Sequence, residues 1–332
     1  MKKIILLILV LFMTGCSSRE YKNGEVNVLN WSSYIPTDVI KDFEKEYDIK
    51  VNYGTYSSNE ELLAKISNSS TGTYDVVFPS DYMVSLMKER DMLNKIDKSK
   101  LINYSNIDSI FLNQEYDLGN NYSLPFLMTH VVIVVDKGDF KEHISSYKHL
   151  INDRYKNSMV VIDDQRIVIG SALQALSYGV NDLNSENYKE VKVFMDRLYK
   201  NIKAFDSDSP KTFLITDEVD IGLMWSAEAI MAKEYNDNIE IIIPRDGYAL
   251  SMDNYTILKG SKNEDNAYKF IDYLLRRDVN KRIIEAYPYI STLYNNNDYS
   301  SKEIEEIIKN GSYIENIGYN IKYYDDMWAE IK

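Results

Sequence analysis

Residues 26–82 read VNVLNWSSYIPTDVIKDFEKEYDIKVNYGTYSSNEELLAKISNSSTGTYDVVFPSDY, and the order of elements in this stretch decides the fold class. Residues 26–29, 49–53 and 74–78 are short runs rich in Val, Ile, Tyr and Phe, the types that fill pleated, half-buried strands. Two helical stretches separate them. The first opens at Pro36-Thr37-Asp38 and runs through Tyr47, with proline near the first turn and an acid at the positive helix end. The second runs through Ile66 and is capped by Ser58 or Asn59. A third helix follows Pro79-Ser80 to about Arg90. A β-α-β-α-β order predicts an α/β protein with a parallel sheet and helices on its faces. Ligands of such sheets sit at the carboxyl ends of strands. Residues 31–34 and 80–82 stand there.

Outward from this stretch, the apolar run 131–135 reads as a strand leaving the first lobe. Residues 159–162 and 240–243 read as strands of a second lobe, with helices near 170–179, 187–200 and 226–234. Two more helices, at about 264–276 and 278–286, follow Asp253. A chain of 332 residues suffices for about two domains.

Composition narrows the chemistry. Hydrophobic residues make up 45%, enough for a large core, and the formal net charge is -13. An acidic surface argues against nucleic acid and favours a cationic partner. No GxSxG elbow, HExxH, P-loop or GxGxxG occurs, so neither catalysis nor a cofactor is expected. His143 and His149 lie in polar, charged sequence, and His130 borders the apolar run as a packed strand-end residue. Asp206-Ser207-Asp208 hints at a calcium loop, but Lys211 stands where such a loop needs glycine. A polar turn ending at Pro210, with no metal, is the expectation.

The single cysteine, Cys16, closes the opening MKKIILLILVLFMTGC. Lys2 and Lys3 precede an apolar stretch, 4–13, too short to span a bilayer. This segment (1–16) resembles the bacterial lipoprotein signal. The resemblance implies cleavage before Cys16, acylation of its thiol and a chain tethered outside the membrane. Residues 17–24 then form a polar tether. A mature chain with no other cysteine has no disulfide.

Seven segments together resemble one family, the polyamine-binding proteins of ABC importers. They are NWSSYIP (30–36), FEKEYDIKVNYGTYSSNEELLAKI (43–66), YDVVFPSDYMV (74–84), IDKSKLINYSNID (96–108), AFDSDSP (204–210), IGLMWSAEA (221–229) and AYKFIDYLLRRDVNKRI (267–283). The resemblance implies a two-lobed periplasmic-binding-protein fold of type II, with the ligand cleft between lobes joined by a hinge. Lobe 1 is expected over 25–130 plus 253–297, and lobe 2 over 131–252 plus 298–332. It further implies spermidine or putrescine as ligand, no enzymatic activity, a monomer, and an ABC permease as partner.

A polyamine is an alkyl chain carrying two or more ammonium groups. Each buried ammonium needs a carboxylate, and its methylenes and ammonium edges favour aromatic faces. The resemblance places such a pocket on Trp31, Ser32, Tyr34, Ser80, Tyr82, Asp164, Ser207, Trp225, Asp253 and Tyr289. Trp328 is expected to pack. Four positions depart from the family: Ser33, Ile167, Ser251 and Ile314. Glu228, three residues after Trp225 and so on the same helix face, is expected to compensate in part. Asp163, Asp81 and Glu315 are expected to be solvated. The alternatives are a binding protein of the same fold for ferric iron, held by a tyrosine cluster, and an extracellular hydrolase, which lacks a nucleophile–base motif.

Overall fold

The computed structural model describes residues 19–138 and 142–332, so the leader and Cys16 lie outside the described residues. The chain begins β1 (Glu25–Trp31), α1 (Thr37–Tyr47), β2 (Lys50–Tyr56), α2 (Asn59–Ser67), β3 (Val76–Val77) and α3 (Asp81–Glu89). Strand β1 pairs in parallel with both β2 and β3. Asp48, in the left-handed conformation at φ 55°, stops α1. Ser58 is the cap of α2, its Oγ accepting from Glu61 N at 3.1 Å.

Next come β4 (Leu124–Asp136), β5 (Met159–Val161), α4 (Gln165–Ala175), α5 (Tyr188–Tyr199), β6 (Ile202–Phe205), α6 (Lys211–Ile215), β7 (Ile221–Trp225), α7 (Ser226–Tyr235) and β8 (Ile239–Ile242). The chain ends with β9 (Tyr248–Ile257), α8 (Glu264–Leu274), α9 (Arg277–Ala286), β10 (Ile290–Ser291), α10 (Ser301–Asn310), β11 (Gly311–Tyr313) and α11 (Ile321–Ile331). The strand order is β2-β1-β3-β9-β4-β7-β5-β6, with β8 and β10 on β4 and β11 on β9.

Two long antiparallel strands, β4 and β9, carry the chain between the lobes. Residues 124–130 of β4 pair with β9, while 131–135 pair with β7. The far end of β9 reaches β3, through Thr256 and Ile257. Strand β4 is more than twice the length of the apolar run that marked it. Pro125, Thr129 and His130 interrupt the hydrophobic pattern, and the register shifts between Pro125 and Leu127, where a bulge accommodates proline. His130 therefore lies inside the strand, buried against Tyr248, rather than at its end.

Each lobe has its own core. Val26, Val28, Phe43, Phe78, Phe126 and Phe270 belong to the first. Val131 to Val135, Leu173, Leu223, Met224 and Met327 belong to the second. The five valine and isoleucine side chains of 131–135 are fully buried, each contributing about 1.5–3 kcal/mol of burial. Helix α10 packs through Ile304 and Ile307 on Met128, Leu250 and Met252, the stretch where β4 and β9 run together. Among the described residues no helix is long and apolar enough to cross a membrane.

Candidate functional site

Between the lobes lies a cleft of about 580 Å³. Its described lining holds eight carboxylates (Glu60, Asp81, Asp163, Asp164, Asp206, Asp208, Glu228 and Asp253) against one basic side chain, Arg166. Eight aromatic rings share the wall: Trp31, Tyr34, Tyr56, Tyr82, Phe205, Trp225, Tyr289 and Trp328. All eleven residues that the sequence singles out stand on this one surface: Trp31, Ser32, Tyr34, Ser80, Tyr82, Asp164, Ser207, Trp225, Glu228, Asp253 and Tyr289. The four departures, Ser33, Ile167, Ser251 and Ile314, line it too.

The first-lobe wall is built at the end of β1. Ser33 takes a left-handed φ of 55°, turning the chain between Trp31 and Tyr34. The indole Nε1 of Trp31 donates to Phe78 O at 2.9 Å, and Tyr56 OH donates to the same oxygen at 2.6 Å. The Trp31 ring lies 4.7 Å from Tyr56, and Tyr34 lies 4.5 Å from Tyr289. These contacts hold the four rings against one another.

Asp253 stands beside them, in β9, bridged to Ser80 across the strand pairing. The Tyr34 hydroxyl donates to its Oδ2 at 2.6 Å. Its Oδ1 is buried and accepts no hydrogen bond among the described residues. Burial pushes this carboxyl up to about 7, against the lowering pull of the Tyr34 hydroxyl and of the nearby Trp31 indole, whose own hydrogen bond goes to Phe78 O. A buried carboxylate oxygen without a donor is costly. Such an oxygen has room for a cationic donor.

The second-lobe wall starts at Asp164, which caps α4. Its Oδ1 accepts from Arg166 N at 2.8 Å and Ile167 N at 3.2 Å, leaving Oδ2 without a partner among the described residues. Burial, with Glu60 next in effect, pushes Asp164 up to about 6. This cap also moves the start of the helix read at 170–179 back to Gln165. Trp225 ends β7 half-buried against the second core. Glu228 follows in the first turn of α7, where the helix dipole favours an acid. Ser207 sits in a turn whose Asp206 Oδ1 accepts from the Asp208 and Ser209 amides.

Three expectations change. Asp81 is not solvated: it is buried, accepts from Tyr82 N at 2.7 Å and Met252 N at 3.3 Å, and desolvation holds it well above the usual carboxylate range. Glu228 is not free: Lys211 Nζ lies 2.8 Å from its Oε2. Trp328 packs on Phe205 at 5.2 Å but also reaches the cleft wall. Asp163 and Glu315 are exposed as expected of them, Asp163 pairing with Lys332.

The sequence revealed neither Arg166 in the lining nor Lys211 behind Glu228, because a base is not expected at an acidic surface. Arg166 is buried and stacks on Tyr82 at 5.3 Å and Tyr324 at 5.1 Å, joining the two walls. Nor did the sequence reveal Glu60, which accepts from Tyr82 OH at 3.0 Å. Glu60 looked like an ordinary first-turn acid of α2.

Residues 38–309 match the family of bacterial extracellular solute-binding proteins. The spermidine/putrescine-binding periplasmic protein of Escherichia coli is 33% identical, over 93% of this chain and 92% of its own length. The putrescine/cadaverine-binding protein of Pseudomonas aeruginosa is 29% identical, over 83% of this chain and 80% of its own. Among solved structures, the TpPotD lipoprotein of Treponema pallidum superimposes with a TM-score of 0.84 at 27% identity, covering 93% of this chain and 99% of that one. The spermidine/putrescine ABC transporter substrate-binding protein PotD of Streptococcus pneumoniae gives 0.78 at 30% identity, covering 93% and 98%.

Proposed function

This chain belongs to the bacterial extracellular solute-binding proteins, and we propose that its cleft captures a polyamine, spermidine or putrescine, for delivery to an ABC permease. The family binds solutes and carries out no chemistry on them. The observation that carries the ligand assignment is Asp253 Oδ1. It is a buried, unpartnered carboxylate oxygen set among the rings of Trp31, Tyr34 and Tyr289. An ammonium satisfies that oxygen, and the rings take the methylenes.

In this reading Asp164 receives a second ammonium, and Trp31 and Trp225 face the alkyl chain from opposite lobes. Ser32, Ser80, Tyr82 and Ser207 complete the polar wall. The lobes, 25–130 with 253–297 and 131–252 with 298–332, close on the ligand about β4 and β9. The protein works as a monomer held at the outer face of the membrane by a lipid on Cys16.

Isothermal titration of the soluble domain with putrescine, spermidine and spermine tests the assignment. Saturable binding of at least one polyamine supports it, and absence of heat with all three removes it. The anchor has its own test. Cys16→Ala leaves the protein unlipidated, and it is expected to leave the membrane on a carbonate wash, since nothing else holds it there. Retention of the variant in the membrane pellet would contradict the anchor.

A further inference from the structure

Glu228 and Lys211 form the most buried ion pair among the described residues, with side chains 6% and 19% exposed; in every other pair at least one side chain is more than a third exposed. Lys211 comes from the start of α6, where the helix dipole offers a cation nothing. Its reason for pointing inward is Glu228, 2.8 Å away. Asp206 and Tyr289 are the other titratable groups that Glu228 feels. The protein therefore sets an ammonium of its own on a cleft-lining acid, from behind the wall rather than from the lining itself.

The remaining acids differ in what they leave open. Asp253 keeps Oδ1 unpartnered, and Asp164 keeps Oδ2. Both oxygens of Asp81 accept backbone amides. Two uncommitted acids are desolvated, Asp253 buried and Asp164 half-buried, and they match two ammonium groups. A third ligand ammonium at the Glu228 end meets an acid already neutralised and a like charge beside it. Only the half-buried Asp206 is left near that end to offset the desolvation of that ammonium. Discrimination by such a repulsive element is a general device of specific sites.

We propose that Lys211 is a specificity-determining residue: its ammonium occupies Glu228 in place of a third ligand ammonium and sets the cleft for a diamine over a triamine. This rests on the polyamine assignment of the same cleft. The test is calorimetric titration of wild type, Lys211→Met and Lys211→Met/Glu228→Gln with putrescine and spermidine at pH 8. The wild type prefers putrescine. Lys211→Met frees Glu228 and shifts the affinity ratio toward spermidine by about tenfold or more, the scale of one buried charge pair. The double variant loses that gain. Lys211→Gln, which keeps the side-chain length without the charge, shifts the ratio in the same direction, and melting curves confirm that each variant is folded. A ratio within about twofold of wild type in both single variants, with both ligands still bound, overturns the proposal and leaves the polyamine assignment standing. A wild type that prefers spermidine overturns it too. A wild type that binds neither ligand removes the assignment itself, and this inference with it.

Discussion

Asp75 and Asp253 are both buried carboxylates of the first lobe, 0% and 2% exposed, and they have opposite characters. Asp75 accepts five hydrogen bonds at 2.6–3.2 Å, from Asn27 N and Nδ2, Ser261 Oγ, and Asn263 N and Nδ2. It ties the start of β1 to the turn before α8. Asp253 accepts one, from Tyr34, and leaves an oxygen bare beside a cleft. Burial alone does not mark a site. A fully satisfied buried acid holds a lobe together, whereas a half-satisfied one between aromatic rings waits for a cation.

Exchanging each acid for its amide breaks this comparison most directly. Asp253→Asn is expected to weaken polyamine binding by roughly thirtyfold or more, since truncating one member of a buried charge pair costs about 2–5 kcal/mol. The empty protein should not suffer. Burial raises Asp253 to about 7, so the folded state holds this proton more tightly than the unfolded chain. The ionised form therefore costs stability above pH 7, and that cost fades as pH falls toward 4. Asp253→Asn should melt at or above the wild-type temperature at pH 8, with the difference shrinking by pH 5. Asp75→Asn should do the reverse. Its amide would face the Asn27 and Asn263 donors and cost about 1–3 kcal/mol of stability, with affinity within about twofold of wild type. Similar melting losses in both variants would erase the distinction.

Acid sharpens the comparison next. Affinity should be highest above pH 7 and fall by up to about tenfold per unit below it, as Asp253 and then Asp164 (about 6) take up protons and stop pairing with ammonium. Affinity that is flat between pH 8 and 5.5 would mean that neither acid carries the ligand charge. The smallest effect belongs to the rings. Trp225→Phe should weaken binding by about 0.5–1 kcal/mol, the low end of a cation–π contact since phenylalanine keeps a ring face, and remove most of the ligand-induced change in tryptophan emission. An unchanged emission response in the variant would place Trp225 outside the contact.

Much of the architecture was legible because strand-type residues and helix caps alternate so regularly over 26–82, and the parallel pairing of β1 with β2 and β3 follows from that order. Strand β4 was only half legible. Its first seven residues include Pro125, Thr129 and His130, yet the bulge and the partner β9 accommodate them. The start of α4 was misplaced because the helix was read from its apolar stretch near 170–179, without the Asp164 cap. In the cleft, the family resemblance pointed to the residues of the aromatic and acidic wall. It did not reveal which acids were already taken. Asp81 follows Ser80 at a helix start that usually faces water, but tertiary contact with β9 buries it. Lys211 and Glu228 lie seventeen residues apart, and only the packing of α6 beside α7 brings them together.

The most direct test of the account is a crystal structure of the soluble domain grown with putrescine. The account predicts a closed cleft with one ligand nitrogen about 2.7–3.0 Å from Asp253 Oδ1, the alkyl chain against Trp31 and Trp225, and Lys211 still on Glu228. A ligand bound elsewhere, or one in the cleft with Asp253 Oδ1 facing water or methylene, would contradict it.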